Sequence, residues 1–374
     1  MRINFFGDFV ATDVTELSLT DDVENIIKSG DINVVNCEAV TVLGDGEHYD
    51  KIVKSGPNLS QSIESADWLL KKGFDAVSLS NNHVMDYGEQ ALKKTLSAFG
   101  DSVTFGAGIW EDAYKPMILD VCDKKIALIG LTHCEFGTLT DRWTQRDKYG
   151  AAWINHVDVD SIIVETRKKV DFLFVFAHAG VEHIEQPLPE WRDRYRSFID
   201  LGCDAVIASH PHIVQGWEIY NGHPIVYSLG NFYFYKNTST TKRWCESIVA
   251  SIEIGRSTNV ELKVTPLKFE KNHILLNDND DFSQYIGHVN NVLRDEENYM
   301  SYINNSADFH MENFYTMFRR GGLARCQTKK KIIRCLLEDI THKFEYSPEW
   351  TYNNIQCESH RCFFLRGYRN NNGL

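Results

Sequence analysis

Residues 203–212 read Cys203-Asp-Ala-Val-Ile-Ala-Ser-His210-Pro-His212. The apolar run from Ala205 to Ala208 has the length and composition of a buried strand. It ends in two histidines separated by one residue. Side chains alternate along an extended segment, so positions i and i+2 point the same way. Two imidazoles would then leave the strand end side by side, and neutral imidazole is a common ligand for divalent transition metals. Taken alone, the pattern is better read as a turn with two surface histidines. Other strand ends in the chain weigh against that, because they finish in the same kind of residue.

Strand and helix signals alternate through the first two-thirds of the sequence. Ile3-Asn-Phe-Phe, Ile32-Asn-Val-Val, Ala76-Val-Ser-Leu and Ile126-Ala-Leu-Ile read as strands. Val170 to Phe176 is almost continuously apolar, as expected of a strand covered on both faces. Gly88 to Phe99 reads as a helix with Ala91, Leu92, Leu96 and Phe99 on one stripe. Trp191, Tyr195, Phe198 and Ile199 mark another helix, which Gly202 stops. Pro224-Ile-Val-Tyr and Ile248-Val-Ala-Ser-Ile follow without helices between them. The pattern predicts an α/β layered fold with a mixed sheet. After the polar break Asn277-Asp-Asn-Asp-Asp the periodicity turns helical. Tyr285, Ile286, Val289, Val292 and Leu293 form one stripe, and Ile332, Ile333, Leu336, Leu337 and Ile340 form another. The expected organisation is a main domain over residues 1–272 and a helical C-terminal extension over 273–374.

With 43% hydrophobic residues in 374, a folded core is expected and wholesale disorder is not. No run approaches the roughly eighteen apolar residues of a membrane helix, and Met1-Arg-Ile-Asn-Phe-Phe enters a strand at once without a signal-peptide pattern. Nine cysteines without regular spacing fit reduced thiols. The expected location is therefore cytoplasmic. Net charge is −13, and residues 316–374 carry a local balance of +6. The acidic remainder argues against nucleic-acid binding, and the basic tail reads as a solvated helix face. Cys357, His360 and Cys362 would need Cys326 or Cys335 to complete a zinc site, and their spacing fits no familiar zinc pattern.

Five apparent strand ends carry groups able to bind a metal: Gly7-Asp8, Asn36-Cys-Glu38, Ser80-Asn81-Asn82-His83, His178 in Phe-Ala-His-Ala-Gly, and His210 with His212. Each has a plain alternative, as a cap, a turn residue, a solvated carboxylate or a core histidine. In open α/β sheets, however, sites form outside the carboxyl ends of strands, where residues distant in sequence converge. Carboxylate, amide and imidazole together suit Mn, Fe or Zn, and the set is large enough for two ions, with Glu38 placed to bridge them. His83 is the candidate for protonating a leaving group. Arg192, Arg194 and Arg196 read as a solvated helix face, and Glu182 and His183 as pocket or surface residues alike.

These motifs occur in a fixed order, with Asp86-Tyr-Gly88, Gly106-Ala-Gly108, His178-Ala-Gly180-Val-Glu182, Gln215-Gly216 and Tyr227-Ser-Leu-Gly-Asn231-Phe among them. Over roughly residues 1–270 the sequence resembles the bacterial capsule-synthesis CapA family, also called the poly-gamma-glutamate synthesis family. The resemblance implies a metallophosphoesterase-like four-layer sandwich, mixed β-sheets flanked by helices. It implies Asp8, Glu38, Asn82, His178, His210 and His212 as ligands of one or two divalent ions, with His83 beside them as acid. Metallophosphoesterases usually begin with Asp-x-His, whereas Val10 follows Asp8 here, so one ion or two stays open. The function it implies is a metal-dependent hydrolase acting on a capsular or exported polymer. In that reading a metal-bound hydroxide attacks a phosphoester or an amide. A poly-gamma-glutamyl amide hydrolase or transferase, or a non-catalytic accessory subunit of a polymer-synthesis complex, are the rivals. Expected partners are an anionic polymer or small-molecule substrate and polymer-synthesis proteins.

Overall fold

Alternation along the central strands sorts their side chains between three apolar layers. In the strand Phe172–His178, Phe172, Phe174 and Phe176 enter one core while Leu173, Val175 and Ala177 enter another. In the strand Ile32–Cys37, Ile32 and Val34 share the first of these cores, and Val35 and Cys37 face a third. The shared core lies between two sheets. The computed structural model describes residues 1–54, 56–100, 103–234, 242–255, 260–318 and 356–372.

The nine-stranded sheet runs Ser18–Leu19, His273–Leu276, Val260–Glu270, Glu246–Ile254, Arg2–Val10, Ile32–Cys37, Ala76–Ser78, Thr104–Phe105, and Asn231–Phe234 also pairs with Arg2–Val10. The six-stranded sheet runs Val214–Tyr220, His223–Leu229, Ala205–Ser209, Phe172–His178, Lys124–Thr132, Met117–Val121. Both sheets are mixed. Helices Asp21–Lys28, Glu64–Lys72 and Gly88–Phe99 cover the outer face of the first with Val23, Ile27, Leu69, Leu92 and Phe99. Helices Asp158–Arg167 and Pro189–Asp200 cover the second with Ile163, Trp191, Tyr195 and Phe198. Helix, sheet, sheet and helix make the four-layer, metallophosphoesterase-like sandwich that the motifs imply.

The parallel pairs set the site. Arg2–Val10 pairs parallel to Ile32–Cys37, which pairs parallel to Ala76–Ser78. Lys124–Thr132, Phe172–His178 and Ala205–Ser209 are likewise parallel. Parallel strands present their carboxyl ends on one edge, so each sheet delivers a row of chain ends to the same place.

The division at residue 272 falls inside the nine-stranded sheet, because His273–Leu276 pairs with both Val260–Glu270 and Ser18–Leu19. The helices begin at Asp280, and the first buries Phe282, Tyr285 and Val289 in the inter-sheet core. The second stripe, Ile332 to Ile340, with Cys326 and Cys335, lies outside the described residues. The arginines of helix Pro189–Asp200 are not simply solvated. Arg192 is buried and pairs with Glu218 at 3.0 Å, which also accepts from Arg196 at 2.7 Å, and Arg194 pairs with Asp160 at 2.7 Å.

Gly7 is required by close approach. Asp8 N–H donates to Gly230 O at 3.1 Å, and a Cβ at residue 7 would overlap that carbonyl. Gly7→Ala should therefore lower the unfolding free energy by about 3 kcal/mol, read as a shift in the urea midpoint at constant slope.

Candidate functional site

Asp8 lies at an irregularity in the pairing of its strand, with register shifts on both neighbours. Its carboxylate accepts from Asn36 Nδ2 at 2.7 Å and from the His210 backbone N–H at 3.2 Å. Glu38 follows the strand Ile32–Cys37 and is, like Asp8, fully buried. His178 closes its own strand. Its Nδ1 lies 3.6 Å from Asp8 Oδ1 and its Nε2 3.7 Å from Glu38 Oε1. His212 repeats this from the other side, with Nδ1 3.5 Å from Asp8 Oδ2 and Nε2 3.5 Å from Glu38 Oε1. His210 Nδ1 is 3.1 Å from His178 Nε2, and Asn82 Oδ1 is 3.0 Å from the same nitrogen.

Two groups able to hold a metal ion result, Asp8–Glu38–His178 and Glu38–His210–His212, each with ligand atoms within 4.8 Å of one another. Glu38 belongs to both. The donor chemistry suits a divalent cation. Burial alone would raise the pKa of Asp8, but hydrogen bonding to His178 and His212 outweighs it and holds the carboxyl far below its ordinary range. Burial holds His210 well below an ordinary imidazole, and His133, His178 and His212 act in the same direction. The site thus pairs an ionised carboxylate with a neutral imidazole, the ligating form of each. His212 Nδ1 faces Asn231 Oδ1 at 2.9 Å, and Asn231 is fixed in turn by Trp244 O at 3.0 Å. An amide oxygen accepting from Nδ1–H leaves Nε2 as the free lone pair.

All six expected ligands are brought together, and His83 stands next to Asn82 with only 6% exposure. The route differs at one point. His210 and His212 do not alternate along an extended strand. The strand Ala205–Ser209 ends before them, and both have left-handed backbones, with φ of 101° and 59°. A β-region conformation would aim them differently, and the strain of positive φ at non-glycine residues is stored where the imidazoles are needed.

Several residues escape the sequence. His83 Nδ1 lies 2.6 Å from Asp86 Oδ2, so Asp86 does more than shape a turn. Lys54, whose side chain is buried, pairs with Asp86 Oδ1 and approaches His83 Nδ1 at 3.1 Å. Nothing periodic marks Lys54, which comes from an irregular segment. His133 follows the strand Lys124–Thr132, and its ring lies 4.5 Å from that of His210. That strand end carries the same signal as the other five. Glu182 and His183 have half-exposed side chains.

Known proteins resemble this chain over much of its length. Residues 7–236 match the family model described as bacterial capsule synthesis protein PGA_cap. The chain is 28% identical over 280 residues to the PGA biosynthesis protein CapA of Bacillus subtilis, covering 71% of each protein. It is 27% identical over 255 residues to the capsule biosynthesis protein CapA of Bacillus anthracis, covering 66% of this chain and 60% of that relative's length. A probable polyglutamine synthesis accessory protein of Mycobacterium tuberculosis is 23% identical over 212 residues, covering 54% of this chain and 55% of the relative.

Asn231→Ala removes the acceptor that orients His212. Divalent-metal affinity, measured by competition with a chromogenic chelator, should fall about 10–100-fold. Unchanged affinity would mean that Asn231 serves packing alone.

Proposed function

The chain belongs to the bacterial capsule synthesis protein family PGA_cap, and we propose that it is a metal-dependent hydrolase acting in the production or modification of a capsular or exported polymer. The observation that carries the reading is the convergence of Asp8, Glu38, His178, His210 and His212, all buried, at the joined carboxyl edges of two sheets. Asp8, Glu38 and His178 would hold one divalent ion, and Glu38, His210 and His212 a second, with Asn82 beside His178. Mn, Fe or Zn suits these donors, and such an ion supplies water activation and polarisation of a phosphoryl or carbonyl oxygen.

The chain's own residues prepare the rest. Asp86 accepts from His83 Nδ1–H, which fixes the ring and leaves the Nε2 lone pair to take a proton from the attacking water and pass it to the leaving group. Burial lowers the proton affinity of His83, against the opposite pull of Asp86, so the resting ring is neutral at neutral pH. Lys54 balances the Asp86 carboxylate. The substrate bond is a phosphoester or a glutamyl-type amide. Free thiols at Cys37, Cys122, Cys134, Cys203, Cys357 and Cys362 suit a reducing, cytoplasmic setting. Among the described residues no helix is long and apolar enough to cross a membrane.

A second reading has an observation of its own. Val10 is packed in an apolar core where related phosphoesterases carry a histidine, and the Mycobacterium tuberculosis relative is named an accessory protein. In that reading the ion serves folding or polymer binding.

His83→Ala separates the two. As a hydrolase, the metal-loaded variant should lose about 10²–10⁴-fold in turnover of phosphoesters or glutamyl amides while its metal content stays unchanged. Wild-type polymer production by cells carrying His83→Ala, with no turnover of either bond by the unmutated protein, would instead establish the accessory role.

A further inference from the structure

Beside the buried centre lies another set of metal-ligating side chains. Glu135, Cys357 and His360 each place a ligand atom within 4.8 Å of the others. Glu135 comes from the loop after the strand Lys124–Thr132, and Cys357 and His360 from the start of the helix Glu358–Asn372. That segment is firmly seated. The buried Glu358 carboxylate accepts from the Cys134 backbone at 2.8 Å, from Trp153 Nε1 at 2.8 Å and from Asn155 Nδ2 at 3.0 Å. Ser359 Oγ lies 2.8 Å from His133 Nδ1 and accepts from Trp191 Nε1 at 3.1 Å.

A second observation points to a ligand. His133 is 1% exposed, and its Nε2 has no hydrogen-bond partner. That nitrogen lies 3.9 Å from Glu135 Oε2. Ser359 occupies the other ring nitrogen, so Nε2 is held toward the Glu135 carboxylate. Buried polar atoms without partners are rare, and an ion that takes up the lone pair accounts for this one.

We propose that Glu135, Cys357 and His360, with His133 Nε2 as fourth ligand, form a separate zinc site. Thiolate, imidazole and carboxylate in a four-ligand set suit zinc, and the thiolate distinguishes this set from the thiolate-free centre next to it. The His360 backbone N–H donates to the Cys357 sulfur, and the residue preceding a helix is favoured for a thiolate. Without a cation, burial and Glu135 keep that thiol protonated, so binding releases its proton to solvent. Burial opposes ionisation of Glu135, but His133 and His360, with hydrogen bonds from Cys357 and Asn82, hold its carboxyl at about 2. Asn82 therefore touches both sites. The zinc would tie the C-terminal helix to the rim of the centre. Cys357 and His360 lie beyond the family match at residues 7–236, so the tie belongs to this chain's extension. The zinc spacing is illegible in sequence because Glu135 and His133 supply half the ligands. Cys362 packs against an apolar core instead.

Cobalt substitution of the full chain tests the site independently of the proposed hydrolase. Co²⁺ added to metal-free protein should produce a near-ultraviolet thiolate-to-cobalt absorption band that zinc abolishes. Cys357→Ser should remove the band, while Cys362→Ser and the His210→Ala/His212→Ala pair should keep it. Glu135→Gln and His360→Gln, which leave the thiol in place, should each weaken zinc binding at least about tenfold. Absence of the band in the unmutated chain, or its persistence in Cys357→Ser, would overturn the site. So would unchanged zinc affinity in both Glu135→Gln and His360→Gln.

Discussion

Two fully buried carboxylates, Asp8 and Glu38, sit where the carboxyl edges of two sheets meet. Burying a carboxylate in a protein interior costs several kcal/mol unless charge and hydrogen bonds compensate it. Much of the local architecture supplies that compensation. Asn36 and the His210 backbone donate to Asp8, and His178 and His212 each reach from one carboxylate to the other. The strand geometry follows the same demand. Gly7 and Gly230 let two backbones approach closely enough to place Asp8 and Asn231 together, and left-handed backbones at His210 and His212 turn both rings inward.

The fold was legible in the sequence because its central strands are parallel and covered on both faces. Such strands write themselves as apolar runs, and Val170 to Phe176 and Ala205 to Ala208 stand out at once. Parallel order also made the ligands legible, since each run ends in the residue delivered to the common edge. The same rule, applied to Ile126-Ala-Leu-Ile, would have led to His133 and Glu135. Contacts made through loops could not be read this way. Lys54 reaches Asp86 from a segment without periodicity, and Glu358 reaches Trp153 and Asn155 across most of the chain. The pairing of His273–Leu276 with the sheet just before the polar break is likewise too short to leave a readable pattern.

The family match at residues 7–236 takes in every candidate ligand of the centre. The chain spans 60% of the length of the Bacillus anthracis relative, so the activity of the whole relative does not transfer by likeness. The geometry adds something the names do not. Buried carboxylates and imidazoles converge with donor atoms that suit a cation, and His83 is oriented by the Asp86–Lys54 pair at its edge. In the proposed hydrolase, the Asp86–His83–Lys54 chain would fix the ring that handles the leaving-group proton.

Elemental analysis of the purified protein beside its His210→Ala/His212→Ala variant tests the central claim most directly. The expected result is about one or two equivalents of Mn, Fe or Zn per chain, reduced in the variant, since two of the five carboxylate and imidazole donors are gone. Metal content that is absent after reconstitution, or unaffected by losing both histidines, would contradict a metal centre at the joined sheet edges.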